Sequence, residues 1–170
     1  MARDPRYDIL FEPVTIGPVT AKNRFYQVPH CSGMGSGFPQ TLAAMRGIKA
    51  EGGWGVVCTE YCSIHPTSED TPYPHCRLWD EDDVRDQALM VEAVHEHGAL
   101  AGVELWHGGY HTLNRYSREP HLAPSAMPGH GYDPVQARAM DRADITDLRR
   151  WQADAARRAV RAGFDIVYVY

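Results

Sequence analysis

Short strand-like segments alternate with helix-like segments along this chain, and that alternation limits its fold more than any other feature of the sequence. The four predicted strands are residues 24–30, 54–61, 100–106 and 164–170. A predicted helix follows each of the first three. Strands that alternate with helices form βαβ units, in which the helix carries the chain back to begin a parallel strand. The sequence therefore predicts an α/β fold with a parallel sheet.

Apolar spacing and end residues define the three predicted helices. The first covers about residues 41–50 and is stopped by a glycine pair, and the second covers about residues 81–97. The third begins near Asp144, which we predict as its N-cap, with Asp147 in the first turn. The positions predicted to face the core are Val84, Ala88, Val91 and Val94 in the second helix, and Ile145, Leu148, Ala155 and Ala159 in the third.

Two segments lie outside this alternation. A short capping hairpin is predicted from residues 10–16 and 19–23, with its turn at Gly17-Pro18. A connection rich in proline, histidine and arginine runs from residue 107 to about residue 143, and we predict it to be a long loop.

A parallel α/β sheet can be doubly wound or closed into a barrel. A glycine-rich stretch follows the first strand, but its spacing of Gly33, Gly35 and Gly37 is not G-x-G-x-x-G. No acidic residue closes a following strand at the distance that a dinucleotide fold requires. The position of the polar residues favours the barrel, because barrel enzymes place their chemistry at the carboxyl ends of the strands. The polar or reactive residues at the ends of four successive strands are His30, Cys31, Glu60, Tyr61, Cys62, Glu104, His107, Tyr168 and Tyr170.

Chain length decides how much of a barrel is present. Eight βα units need about 250 residues, whereas this chain has 170 residues and four predicted strands. We therefore predict the N-terminal half of a (β/α)8 TIM barrel, with about four βα units and the capping hairpin.

Composition argues against several functional classes. A net charge of −5 and a pI near 6.0 give no basic surface for nucleic acid or an anionic membrane. No apolar run approaches the ~20 residues of a membrane-spanning helix, and the N-terminus lacks the apolar core of a secretory signal. Four cysteines are too few and too scattered for a disulfide framework. We expect reduced thiols and a cytoplasmic location.

Three residues near the strand ends carry the most chemistry. Cys31 is either a nucleophile, if a nearby imidazole or helix lowers its thiol pKa, or a buried structural cysteine. Tyr61 is an aromatic wall, a hydrogen-bond donor or a packing residue. Glu104 lies within an apolar strand, so its carboxylate needs a partner such as a ligand N–H, or it is exposed by a local bend.

Metal binding is not expected. His107 and His111 have the i, i+4 spacing of helical ligands, but two glycines between them oppose a helix. Cys58 and Cys62 are also four apart, and on a strand that spacing separates them by about 13 Å. The remaining histidines are expected at the surface or in loops; they are His65, His75, His95, His97, His121 and His130.

Long blocks of the sequence resemble the trimethylamine dehydrogenase family, which includes dimethylamine and histamine dehydrogenases. The opening resembles it from Arg3 to Pro13, and Asn23-Arg-Phe-Tyr-Gln-Val-Pro-His-Cys31 is the most specific block. Most relatives of old yellow enzyme share the barrel but lack that cysteine. Further blocks are Lys49-Ala-Glu-Gly-Gly-Trp54, Thr59-Glu-Tyr-Cys-Ser-Ile64, Gly98-Ala-Leu-Ala-Gly-Val-Glu-Leu-Trp106 and Ala162-Gly-Phe-Asp-Ile-Val-Tyr-Val-Tyr170.

The resemblance implies a role for each site residue. Cys31 would form a 6-S-cysteinyl bond to FMN, and Tyr61 would help to hold a methylated amine within an aromatic bowl. Tyr170 would hydrogen-bond to a catalytic histidine. The residues placed on the flavin-facing rim are Pro29, His30, Glu60, Tyr61 and Glu104.

The resemblance also implies a larger protein. Residues 1–170 would be the N-terminal half of the FMN-binding barrel, and the rest of the barrel, the iron–sulfur region and the nucleotide-binding region would lie beyond them. The whole would be a homodimer that dealkylates or deaminates a small amine. Its electrons would pass from FMN through a [4Fe-4S] cluster to an electron-transferring flavoprotein. The 170-residue chain alone would be inactive.

Overall fold

The computed structural model describes residues 4–130 and 135–170. Its centre is a parallel sheet with the strand order β10 (Ile166–Val169), β6 (Leu100–Trp106), β4 (Val56–Ser63) and β3 (Tyr26–Gln27), while β5 (Cys76–Arg77) pairs with the carboxyl end of β4. The four main strands β3, β4, β6 and β10 therefore lie in the sheet in the order in which they occur in the chain. This sequential order is that of a (β/α)8 barrel rather than a doubly wound sheet, and the predicted half-barrel is confirmed.

Three helices connect the strands: α1 (Pro39–Glu51), α2 (Glu81–His95) and α3 (Arg142–Ala162). They pack in sequence, α1 on α2 and α2 on α3, and share one core with the sheet. Large buried members of this core are Leu42, Ile64, Leu78, Met90, Val94, Val103 and Leu105. The helices therefore cover one face of the sheet, as the outer ring of a barrel does.

The predicted core-facing positions are confirmed except for one. Val91, Val94, Ala155 and Ala159 are buried, and Val84, Ala88 and Leu148 are partly buried. Ile145, in contrast, is 48% exposed. The prediction was wrong there because the fully buried positions of α3 begin only in its second half.

The start of α3 also differs from the prediction. Its N-cap is Asp141, whose side chain accepts hydrogen bonds from the backbone N–H groups of Ala143 and Asp144. Asp144 is the third helical residue and accepts in return from the Asp141 N–H at 2.8 Å. Because Asp141, Asp144 and Asp147 are spaced three apart, two capping registers fit the sequence, and the more N-terminal one forms.

The N-terminal segment is less extended than predicted. A short antiparallel hairpin pairs β1 (Val14–Ile16) with β2 (Val19–Ala21). The chain before it forms a 3-10 helix at Pro5–Phe11, so the predicted start of the hairpin at residue 10 was wrong. The first barrel strand, β3, has only two residues, whereas seven were predicted. Arg3, where the first resembling block begins, lies outside the described residues.

The long connection contains structure that was not predicted. A small sheet has β9 (Gln136–Ala139) between β7 (Leu122–Ala123) and β8 (Met127–Pro128), within the part of the connection that is described. Two of these strands have only two residues each, which is too short to give an alternating pattern. No helix among the described residues is long and apolar enough to cross a membrane.

The capping residue of α3 can be tested by its contribution to stability. Replacing Asp141 by alanine removes the acceptor for two N–H groups, and we expect the free energy of unfolding to fall by about 1 kcal/mol. Urea unfolding followed by circular dichroism measures this. The control is Asp154→Ala, which breaks an exposed ion pair with Arg157 in the same helix and should cost at most about 0.5 kcal/mol. Equal losses in both variants would contradict the capping role.

Candidate functional site

The parallel strands bring several predicted site residues to one edge of the half-barrel. Tyr61 of β4 lies opposite Glu104 of β6, and Glu104 lies opposite Tyr168 of β10. Cys31 follows the carboxyl end of β3. Tyr170 comes directly after β10, is 69% exposed, and its ring centroid is 5.9 Å from that of Tyr168. This is the edge where barrel enzymes carry their chemistry.

An open cavity of about 420 Å³ lies at this edge, lined by Tyr26, Val28, Pro29, Glu104 and Tyr168. Glu104 is partly exposed in it, and burial raises the pKa of its carboxyl group. No hydrogen bond or ion pair within residues 4–130 and 135–170 engages the Glu104 carboxylate. The Glu104 carboxylate faces an open cavity, and a ligand N–H as its partner, one of the alternatives from the sequence, stays a prediction.

The thiol of Cys31 is not activated by its surroundings. The residue as a whole is exposed. Partial burial of its sulfur, together with the nearby carboxylate of Glu60, raises the pKa of the thiol to about 12, and contacts from Tyr61 only partly offset this. A sulfur with such a pKa is almost entirely protonated at neutral pH. The surface position fits a reactive cysteine, whereas the expected thiolate activation by His30 is absent.

Glu60 lies beneath the loop that carries Cys31. It is completely buried, and its Oε1 accepts hydrogen bonds from the Ser32 N–H and hydroxyl, each at 2.5 Å. Its Oε2 accepts from the Cys76 N–H at 3.1 Å. Burial opposes ionisation of Glu60, but these hydrogen bonds outweigh it and lower the pKa of the carboxyl group. Direct contact of Glu60 with a flavin stays a prediction.

Arg46 holds the other side of the same loop. This arginine of α1 is completely buried, and its Nη2 donates to the His30 carbonyl at 2.7 Å. Its Nη1 lies 3.0 Å from Gln27 Oε1 and 3.1 Å from His30 Nδ1. Because a guanidinium can only donate, Nδ1 of His30 is an acceptor and a neutral ring carries its hydrogen on Nε2. Burial and the nearby Arg46 charge lower the pKa of His30.

Tyr61 is held by two residues that were not predicted. Its hydroxyl hydrogen-bonds to Asp70 Oδ2 and to His75 Nδ1, which are 2.9 Å from each other. The Tyr61 and Trp106 ring centroids are 4.2 Å apart. Burial and the Asp70 carboxylate raise the pKa of the Tyr61 hydroxyl, so it remains a phenol. Tyr61 is therefore a hydrogen-bond donor that also packs against Trp106, and its role as an aromatic wall of a substrate site stays a prediction.

Sequence patterns gave no signal for Asp70 and His75, and only a weak one for Arg46. Asp70 and His75 lie in the irregular connection after β4, and Arg46 occupies a helix position that a solvated arginine could equally fill. A buried Arg46 on α1 could have been suspected from its place among Leu42, Ala43 and Ala50, which share one helix face.

Two histidines, His65 and His107, contact Thr67 beyond the end of β6. Thr67 Oγ1 is 3.0 Å from His65 Nδ1 and 3.0 Å from His107 Nε2. The His65 ring stacks on Trp151 with centroids 3.7 Å apart. Burial and the nearby His65 lower the pKa of His107 to about 4. The ring of His107 is therefore neutral and structural near neutral pH.

The expectation that the other histidines lie at the surface or in loops is confirmed, although two of the loop histidines have little exposure. His75 and His121 lie in connections, but the His75 side chain is 15% exposed and His121 is 6% exposed. Burial of the His121 ring is compensated by a hydrogen bond, in which its Nε2 donates to the Thr112 carbonyl at 2.7 Å. In the described part of the chain, no group of three or more histidine, cysteine or acidic side chains is arranged to hold a metal ion.

The sequential parallel sheet and its polar carboxyl edge define the class of protein: an enzyme built on a (β/α)8 barrel, of which this chain forms half. More narrowly, the chain belongs to the NADH:flavin oxidoreductase / NADH oxidase family, whose pattern matches residues 9–170.

Three relatives locate the chain within that family. It is 49% identical over 183 residues to the dimethylamine dehydrogenase of Hyphomicrobium sp. (strain x), an alignment that covers 100% of this chain and 24% of the relative. Its structure matches histamine dehydrogenase from Rhizobium sp. 4-9 with a TM-score of 0.95 and 55% identity, over 99% of this chain and 26% of that one. It matches the old yellow enzyme homologue from Zymomonas mobilis with a TM-score of 0.80 and 30% identity, over 94% of this chain and 47% of that one.

The chain therefore spans about a quarter of the length of these amine dehydrogenases and about half of the old yellow enzyme homologue. A match to half of a flavoenzyme barrel agrees with the four βα units of the sheet. The resemblance to the amine dehydrogenase group of the family is confirmed.

The lowered pKa of His107 predicts a pH-dependent stability. Because the folded value near 4 lies below the ordinary value of 6.5, the folded state binds fewer protons than the unfolded state between these limits. The stabilisation is complete above pH 6.5 and is lost as the pH falls towards 4, by up to about 3 kcal/mol.

Urea unfolding of the wild type and of His107→Gln at pH 7.5 and at pH 4.5 isolates this contribution, since other titrating groups are common to both proteins. We expect the wild type to lose about 2 kcal/mol more than the variant over this range. An identical pH loss in the two proteins would show that His107 titrates normally.

Proposed function

We propose that the complete protein is an FMN-dependent amine dehydrogenase and that this chain supplies the first half of its flavin-binding barrel. The observation that carries the proposal is the placement of Cys31. It is exposed at the carboxyl edge of the sheet, on a loop held by buried charged groups on both sides. The likeness to dimethylamine and histamine dehydrogenases over nearly the whole chain supports this choice within the family.

The residues at the carboxyl edge fit FMN. Pro29 and Glu104 line an open cavity, and the Glu104 carboxylate is an acceptor suited to a ligand N–H. Cys31 would bond the flavin through its sulfur, as a 6-S-cysteinyl link, and His30 would flank it. When bound, FMN accepts two electrons from the carbon attached to the amine nitrogen.

Tyr61 and Trp106 would form part of the amine site. Their adjacent rings offer electron-rich faces, which attract an ammonium or the positive charge that develops on an iminium. Asp70 and His75 hold the Tyr61 hydroxyl, so the ring keeps one orientation. Tyr170, exposed beyond β10, would reach a catalytic histidine supplied by the rest of the barrel. Hydrolysis of the oxidised amine would give an aldehyde and a smaller amine.

The preferred substrate is a small, trimethylamine-like amine, because an aromatic ring at Tyr61 suits a methylated cation. Histamine is the second candidate, since identity to histamine dehydrogenase reaches 55%. N-demethylation of a larger methylamine or a betaine is the third. Turnover of these amines by the complete protein with an artificial electron acceptor, compared through kcat/KM, tests the order.

The remaining parts of the proposal concern the whole protein. Electrons would leave FMN through a [4Fe-4S] cluster in a C-terminal region and pass to an electron-transferring flavoprotein. The protein would be a homodimer. It would be cytoplasmic, a location that suits its four free cysteines. The lack of a basic surface argues against a nucleic-acid or membrane partner.

The flavin link can be tested by changing Cys31. In the complete protein we expect Cys31→Ala to release all of its FMN on acid denaturation, because no covalent bond remains, while the wild type keeps flavin in the precipitate. Absorbance near 450 nm and mass spectrometry of the Cys31 peptide measure this. Cys58→Ala is the control, since that sulfur is buried against Tyr26 and should leave the link intact. Covalent flavin in Cys31→Ala would end the assignment.

The 170-residue chain tests the role of the missing half. We expect it to hold little FMN and to oxidise no amine, because half of the barrel cannot enclose the cofactor. Its free sheet edges at β3 and β10 favour association with a second copy or with a complementary half. Absorbance near 450 nm and sedimentation velocity check both points, and a flavin-saturated, active monomer would contradict the proposal.

A further inference from the structure

The loop around Cys31 is fixed at the residue before it and at the residue after it. Arg46 donates to the His30 carbonyl at 2.7 Å on one side. Glu60 accepts from the Ser32 N–H and hydroxyl, each at 2.5 Å, on the other. We call Arg46 and Glu60 the Cys31 clamp. Cys31 itself is exposed, so the two residues that hold the loop leave its sulfur open.

The clamp residues are placed on rigid elements and are completely buried. Arg46 belongs to α1 and Glu60 to β4, and both have a relative exposure of 0%. Burying a charge is unfavourable unless hydrogen bonds or an opposite charge compensate it. In the described residues no ion pair reaches Arg46, and its Nε has no partner. Arg46 instead hydrogen-bonds to Gln27 and His30, so its buried charge holds the loop in place.

A third contact keeps the loop close to the sheet. Gly35 lies so near β5 that an added Cβ would be 2.2 Å from the Cys76 backbone nitrogen. The Ser36 N–H donates to the Pro74 carbonyl at 3.1 Å. The Glu60 Oε2 accepts from that same Cys76 N–H. The segment after Cys31 is therefore anchored to both β4 and β5.

We propose that Arg46 and Glu60 are positioning residues for covalent attachment of the flavin at Cys31. This rests on the proposed function of Cys31. Attachment replaces the thiol S–H and a ring C–H by one S–C bond, and two protons and two electrons are released. The two electrons pass one at a time through the iron–sulfur cluster to the oxidised electron-transferring flavoprotein, the acceptor that serves amine oxidation. The clamp supplies geometry, since a thiol that stays protonated near neutral pH gains little from ionisation.

The test uses the complete protein, prepared without flavin and then mixed with FMN and an electron acceptor. Arg46→Lys keeps the charge but loses the two-pronged contact, and Glu60→Gln keeps the shape but presents an N–H₂ group to one of its donors. The control is Glu69→Gln. Glu69 is also buried and accepts backbone N–H groups from Thr71 and Tyr116, away from Cys31.

The measurements are total bound FMN, the rate at which flavin becomes acid-precipitable with the protein, and Tm. For both clamp variants we expect roughly a hundredfold slower attachment, the effect of misplacing a reacting atom by about 1 Å. Bound FMN and Tm should stay close to those of Glu69→Gln, which should attach flavin at the wild-type rate.

Each other outcome overturns the inference. Wild-type attachment rates in both clamp variants would show that Cys31 needs no clamp. Loss of all FMN binding or a collapse of Tm in both would assign Arg46 and Glu60 to folding alone. A wild-type protein that never attaches flavin would instead refute the proposed function, and the two failures are thereby told apart.

Discussion

The parallel hydrogen bonding of β4 with β6 is the constraint on which the site depends. It places Tyr61 opposite Glu104, and the pairing of β6 with β10 brings Tyr168 to the same level. A register shift in β4 between Cys58 and Tyr61 interrupts the ladder just before the strand reaches the edge. Such irregularities redirect side chains near active sites. At this shift, the two consecutive residues Glu60 and Tyr61 each form a hydrogen-bond network.

The two networks differ in their electrostatic character. The one around Glu60 and Arg46 is composed of buried charges that bind mainly backbone groups, so it fixes the course of the chain. The one around Tyr61 joins side chains to one another and faces the aromatic rings, so it fixes the orientation of a single phenol. At Cys31 the net effect is a raised thiol pKa, because contacts from Tyr61 only partly offset burial and the Glu60 carboxylate. For the flavin link proposed at Cys31, the structure thus favours orientation of the sulfur over its ionisation.

The sequence allowed the order of the four barrel strands, the three helices and the residues at the carboxyl edge to be predicted, because these follow from local periodicity and from the barrel rule. The start of α3 could not be decided, since Asp141 and Asp144 offer equivalent caps. The contacts of Arg46, Asp70 and His75 also escaped prediction. They join positions in separate elements or within an irregular loop, where side-chain type carries no periodic signal. The outcome for Glu104 depended on the shape of a cavity, which no linear pattern encodes.

The contacts of the Tyr61 hydroxyl determine which nitrogen of His75 carries a hydrogen. It lies against Asp70 and His75, and these two also contact each other. The Tyr61 hydroxyl has one hydrogen, which it donates to Asp70 Oδ2. His75 Nδ1 must then carry a hydrogen of its own, shared between the Tyr61 hydroxyl oxygen and Asp70 Oδ2. That tautomer leaves Nε2 of the ring as a lone-pair site. An acceptor at that position favours a hydrogen-bond donor, rather than a second acceptor, as its neighbour.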